Sequence, residues 1–309
     1  MRRALASAAA ALCLAGCGSG GGDEPQPARE PLAIATGGKG GIYTVFGAGL
    51  ARRITHELPG YRANTQATTG SVENLQRLRD GDVQIALTLA DTALDAVEGR
   101  EAFDRPVAIR ALAQIYPSYI QLVTRADSSI KAVGDLAGKR VSVGSPASGT
   151  QVAAERVLDV AGIDPQADLQ RSQLGVAESA AALEDGSIDA FFWSGGVPTA
   201  AITALAARQP VALVPLGRWT RPMRSRWGGV YERASMPAGA YAGVDAPVET
   251  VSIPNYVVVD EHMNGVLAQD LTELLLNSAT PAERARAPRV IAPVGLHPGA
   301  ERYYAQAGG

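Results

Sequence analysis

Short apolar runs alternate along the chain with turns rich in Gly, Ser and Thr. After each turn come stretches whose apolar residues recur every three or four positions. That order predicts repeated strand–turn–helix units. Residues 32–36 predict a strand, followed by Gly37-Gly38-Lys39-Gly40-Gly41 and a helix over 43–56. A second strand spans 61–68. Ser71 and Asn74 then open a helix carrying Val72, Leu75 and Leu78, and Asp80-Gly81 stops it. The third strand covers 83–89. Such units imply a mostly parallel sheet with helices on its faces.

Residues 111–125 form a long strand-like run broken by Pro117, which reads as a crossover out of a first lobe. A second series follows, with strands over 140–143, 169–174, 188–193 and 211–216. Helices cover 151–161 and 177–183, and another follows the turn at 194–199. Residues 250–259 read as a second crossover, residues 260–276 as a helix, and the tail at 296–304 as packing back on a lobe. Residues 217–249 are irregular and give no assignment. The stretch from Leu78 to Ile85 echoes the one from Leu183 to Ala190: in both, a helix ends at Asp-Gly and an apolar strand begins two residues later. The expected division is lobe I over 31–117 plus 255–309 and lobe II over 118–254.

The N-terminus has a different character. Met1-Arg2-Arg3 precedes twelve apolar residues, too few to span a bilayer and suited to a signal-peptide core. Leu14-Ala15-Gly16-Cys17 resembles a bacterial lipobox. Residues 1–16 are therefore expected to be a lipoprotein signal peptide and Cys17 the lipidated residue. Residues 18–30 are Gly, Pro and charge, and read as a flexible tether. The body would be extracytoplasmic and anchored to a membrane by lipid alone.

Composition then removes function classes. A formal net charge of −3 offers no basic surplus for a nucleic acid. Two cysteines and three scattered histidines show no metal-ligand spacing. No Gly-x-Ser-x-Gly elbow is present, and the glycine run at 37–41 fits neither the phosphate-loop nor the dinucleotide spacing. The chain reads as a non-enzyme with no cofactor and no metal. His56, late in a helix, reads as a surface residue. Asp91, just after the third strand, reads as the N-cap of the next helix or as a carboxylate facing a cleft. What remains is four turns, at 36–41, 69–71, 144–150 and 194–199. Each joins the carboxyl end of a strand to a helix N-terminus, where α/β sheets bind ligands and free N–H groups favour anions.

The residues from Thr36 through Gly41 to Tyr43 resemble the opening motif of the TAXI family, the extracytoplasmic receptors of TRAP transporters. Further similar segments are 69–75, 138–150, 189–199 and 297–304. The resemblance implies an α/β, two-lobed type II periplasmic-binding-protein fold with crossover hinge strands near 116–120 and 253–256. It implies capture of a small organic anion such as glutamate or 2-oxoglutarate. Delivery would be to TRAP membrane permease subunits driven by a sodium or proton gradient, without an ATPase. By position, Gly37, Gly38, Gly41 and Tyr43 would cradle the ligand from one lobe, with Lys39 as a cationic partner. Ser71 and Asn74 would bond it or cap their helix. Ser148, Gly149 and Thr150 would bind from the other lobe, and Gly196, Val197, Pro198 and Thr199 would complete the far wall. The alternative expectation is a lipoprotein of the same fold that presents its ligand to a signalling receptor.

Overall fold

The computed structural model describes residues 29–277 and 294–307. The segments expected to be a signal peptide and tether, residues 1–28 with Cys17, lie outside the described residues. The first series comprises β1 (Glu30–Ala35), α1 (Ile42–Glu57), β2 (Tyr61–Gln66), α2 (Ser71–Arg79), β3 (Ile85–Leu89) and α3 (Ala90–Glu98). After the long β4 (Ile109–Arg125) come β5 (Arg140–Ser142), α4 (Gly149–Val160), β6 (Gln170–Ser172), α5 (Val176–Glu184), β7 (Ala190–Gly195), α6 (Ala200–Ala206) and β8 (Val211–Val214). The chain continues through α7 (Thr220–Trp227), β9 (Glu232–Met236), β10 (Val248–Asp260), α8 (Gly265–Asn277) and α9 (Pro298–Ala307).

The expected units are present, with shifted ends. Gly81 and Gly186, just past the ends of α2 and α5, have φ of 80° and 77°. Both helices therefore stop by the same left-handed turn, as the echo implied. The predicted helix at 260–276 starts at Gly265 because the Asn264 side chain accepts from the N–H groups of Val266 and Leu267, at 2.9 and 3.2 Å. Residues 217–249 are not wholly irregular. They hold α7, whose buried Thr220, Met223 and Trp227 repeat at helical spacing among arginines, and the strand β9. That helix has eight residues, too few for periodicity to stand out.

Among the described residues, ten strands form one hydrogen-bonded sheet, in the order β2-β1-β3-β10-β4-β7-β5-β6, with β8 on β4 and β9 on β10. The βα units are parallel, and the two long strands β4 and β10 run antiparallel through the middle. Pro117 pairs with Pro254 there, and the register slips between Pro254 and Tyr256. Neither proline can donate to the ladder, so the pairing is weakened at one level on both strands. Asn255, fully buried, ties that point together. Its Nδ2 donates to the Tyr116 carbonyl at 2.7 Å and to Ser118 Oγ at 2.8 Å. The tail does pack back: Leu296 bridges to Ala111, and α9 lies on α8.

A buried ion cluster joins α3 to α4. Arg156 reaches Asp95 at 2.6 Å and Asp91 at 3.7 Å, and donates to the Tyr231 hydroxyl at 2.7 Å. That hydroxyl donates to Asp91 at 3.1 Å. Asp91 is thus neither an N-cap, a place taken by Leu89, nor a cleft carboxylate. It sits in the first turn of α3 with no exposed surface. Burial raises both carboxyls above the usual aspartate range, outweighing the neighbouring Arg156. Burial opposes the charge on Arg156 in turn, yet Asp91, Tyr231 and Asp95 outweigh it and raise its pKa.

Candidate functional site

The first and second βα series meet across one cleft of about 310 Å³. Four helices start on it. The residues Gly41 and Ile42 bring α1, Gly70 and Ser71 bring α2, Ser148 and Gly149 bring α4, and Gly175 and Val176 bring α5. The caps Gly41, Gly70 and Gly175 have no side chain to satisfy the first N–H groups of their helices. The opening of α4 differs, because Ser148 Oγ accepts from Gln151 N at 3.1 Å. Two helices from each series therefore direct their positive ends into one volume.

The halves touch closely around this volume. The N–H of Glu73 in α2 donates to the Ala147 carbonyl at 3.1 Å. A Cβ at Gly149 would stand 2.6 Å from Leu89 Cδ1 and from Ser71 Oγ, so only glycine admits this approach. One at Gly41 would stand 3.2 Å from the Trp193 ring, which reaches it from β7. That ring is fixed by its Nε1 donating to Thr199 Oγ1 at 3.0 Å. Lys39 and Glu178 are the charged groups among the lining residues. Apolar walls come from Leu89, Leu174, Trp193 and the ring of Tyr43.

A family model described as the NMT1-like family matches residues 34–308, nearly the whole chain. The chain belongs to the NMT1-like family. Solved structures agree on the fold at low identity. The periplasmic aliphatic sulphonate binding protein SsuA of Escherichia coli is 17% identical, with a TM-score of 0.51 over 84% of this chain and 76% of that one. The alkanesulfonate-binding protein SsuA of Xanthomonas axonopodis pv. citri, solved with MOPS bound, is 16% identical at a TM-score of 0.52, covering 91% and 85%. A Bordetella bronchiseptica RB50 protein is 18% identical at 0.55, covering 90% and 80%. This NMT1-like chain has the mixed α/β periplasmic-binding-protein fold.

The sequence-predicted residues divide into those at the cleft and those behind it. Gly37, Gly38, Lys39, Gly41, Tyr43, Ser71, Ser148, Gly149 and Thr150 of this NMT1-like protein all line the cleft. Several of their hydroxyls are already engaged. Tyr43 donates to Asn255 Oδ1 at 2.6 Å, and burial raises its pKa well above the usual value. Ser71 Oγ accepts from Leu89 N at 3.1 Å, and Thr150 Oγ1 from Ser194 N at 3.1 Å.

Asn74 is not at the cleft. It is fully buried, and its amide donates to the Thr36 and Leu87 carbonyls at 2.6 Å each, stitching the residue after β1 to the middle of β3. Gly196, Val197, Pro198 and Thr199 do not line the cleft either. Thr199 donates to the Gly196 carbonyl at 2.7 Å and carries Trp193. The far wall is instead Trp193 with Ser194 and Gly195, the first two residues of the predicted turn at 194–199. Sequence reasoning missed the turn at 173–175 into α5, since Gln173-Leu174-Gly175 has one glycine and looks like the end of a strand. Its signal was position: it follows β6 as the other turns follow their strands.

Proposed function

We propose that this chain is the extracytoplasmic solute-binding protein of a TRAP-type secondary transporter of the TAXI kind. In this reading its ligand is a small organic anion such as glutamate or 2-oxoglutarate. The observation that carries the reading is the convergence of four helix N-termini, two from each βα series, on one cleft. At about 310 Å³ the cleft is at the low end of the roughly 300–1,000 Å³ usual for small-molecule sites, which suits a metabolite. Each helix end contributes about 0.3–1 kcal/mol to holding an anion, and up to about 2 when partly buried. Four of them supply a substantial part of the about 8 kcal/mol that micromolar binding needs.

The lobes divide at 117/118 and 254/255, and the facing prolines Pro117 and Pro254 stand at both divisions. Closure would bend β4 and β10 there. Lys39 adds one cation for a carboxylate. Glu178 favours glutamate over 2-oxoglutarate, because only the former brings an ammonium group to meet it. Residues 1–16 direct export and Cys17 carries the lipid anchor, so the receptor works at the outer face of a membrane beside its permease.

Isothermal titration of the full-length protein in detergent, with L-glutamate, 2-oxoglutarate and C4-dicarboxylates, tests the reading. Saturable heat with at least one is expected, and absence of heat with all of them rejects it. Uptake by proteoliposomes carrying the protein and its cognate permease should need a sodium or proton gradient. Uptake that needs ATP instead rejects the TRAP assignment.

A further inference from the structure

The hydroxyls of Tyr116 and Ser194 both belong to residues that line the cleft, yet neither has a hydrogen-bond partner among the described residues. Both oxygens are shut off from bulk solvent. Native interiors rarely leave such groups unmatched, because each loses its water without a replacement. The contrast with the neighbouring hydroxyls is sharp. Those of Tyr43, Ser71, Ser148 and Thr150 bond within the protein.

Both unmatched groups stand on rigid carriers. Tyr116 immediately precedes the proline crossing of β4, and Asn255 Nδ2 holds its carbonyl at 2.7 Å. Its ring packs edge-on to Phe46, with centroids 6.1 Å apart. Ser194 pairs with Ile120 across the ladder, and Thr150 Oγ1 fixes its N–H. The two carriers are neighbours, for a Cβ at Gly196 would stand 3.9 Å from Tyr116 Cδ2. We infer that Tyr116 Oη and Ser194 Oγ are ligand-binding hydroxyls that donate to oxygen acceptors of the bound anion at the hinge side of the cleft. Burial raises the Tyr116 phenol above its usual pKa, so it stays a donor at physiological pH.

The inference rests on the anion-binding reading above and adds two specificity residues that the glycine turns do not include. Backbone N–H groups at helix ends take any anion, whereas two fixed hydroxyls demand oxygen acceptors at set positions.

The test uses Tyr116→Phe and Ser194→Ala in the full-length detergent-solubilised protein. Each is titrated with whichever of L-glutamate, 2-oxoglutarate and succinate gives the wild type its largest heat. Each variant is expected to bind about ten- to a hundredfold more weakly. Melting temperatures without ligand should equal or exceed the wild type, because an unmatched buried group has been removed. A residue with a merely structural role would instead lower them. Unchanged affinity in both variants overturns the inference while leaving the anion reading intact, and is the result expected if trapped water satisfies the hydroxyls. A fall in unliganded melting temperature that matches the affinity loss also overturns it. No heat with the wild type rejects the anion reading and this inference together.

Discussion

Replacing Arg156 by Met strands charge in the interior and should be the most damaging single change outside the apolar core. Arg156 is 4% exposed, and it is the cation bonded to a cluster whose carboxylates, Asp91 and Asp95, have at most 1% of their surface exposed. The two do not suffer equally. Asp95 keeps the half-buried Arg100, with Nε 2.9 Å away. Among the described residues, Asp91 keeps the Tyr231 hydroxyl and the N–H and hydroxyl of Thr92 and no cation bonded to it. Removing one partner of a buried pair costs about 3–5 kcal/mol, and the surviving Arg100 points to the lower end.

Against a total stability of about 5–15 kcal/mol that is a large fraction. With a urea dependence near the upper end of about 1–3 kcal/mol per M, the midpoint should fall by about 1 M. The sign of the pH effect is fixed as well. Without the cation the folded-state pKa of Asp91 rises further, while the unfolded value stays near about 3.9. Between those values the folded state binds more protons than the unfolded one, so the variant gains stability as pH falls. Urea melts followed by circular dichroism at pH 7.5 and pH 5 should show the gap to wild type narrowing at the lower pH. Adding Asp91→Asn to the variant should recover part of the loss at pH 7.5. A deficit below about 1 kcal/mol, or one independent of pH, refutes the reasoning.

Ser148→Ala removes the cap of α4 and should cost about 1 kcal/mol in a denaturant melt; combined with Thr150→Ala it should also weaken ligand binding by loosening Ser194, and unchanged affinity in the double variant rejects that route. Gly149→Ala places a methyl against Leu89 and Ser71 of the facing series and should hold the cleft open, seen as a larger radius of gyration with ligand in small-angle scattering. Asn255→Ala leaves the Tyr43 hydroxyl and the Tyr116 carbonyl without their partner and should lower stability by about 1–3 kcal/mol. The carboxyl of Asp189, held below its usual pKa by the Arg140 guanidinium, should contribute stability that is present above the ordinary aspartate range and lost as pH falls through its lowered value. Asp189→Asn should therefore flatten the acid limb of the stability profile, and an unaltered limb counts against the pairing.

Much of the fold was legible because its signals are local. Apolar periodicity marked β1 to β3 and the second series, and Asp-Gly marked both matching helix stops, since a left-handed residue is needed wherever such a helix turns into a strand. All four turns contribute residues to the cleft, the last through Ser194 and Gly195 alone, because in a parallel sheet all helix starts following strands lie on one edge. The rest depended on which distant segments meet. Asn74 and Thr199 have the same hydrogen-bonding chemistry as a ligand contact, yet packing turned Asn74 onto the backbone of Thr36 and Leu87 and set Thr199 behind Trp193. Asp91 met Arg156 and Tyr231, 65 and 140 residues away, in a cluster that no spacing rule describes. The order of the strand–turn–helix units thus belongs to the sequence alone. The orientation of each polar side chain toward cleft or core belongs to the tertiary structure, because burial leaves a donor or acceptor only the partners that long-range packing brings to it.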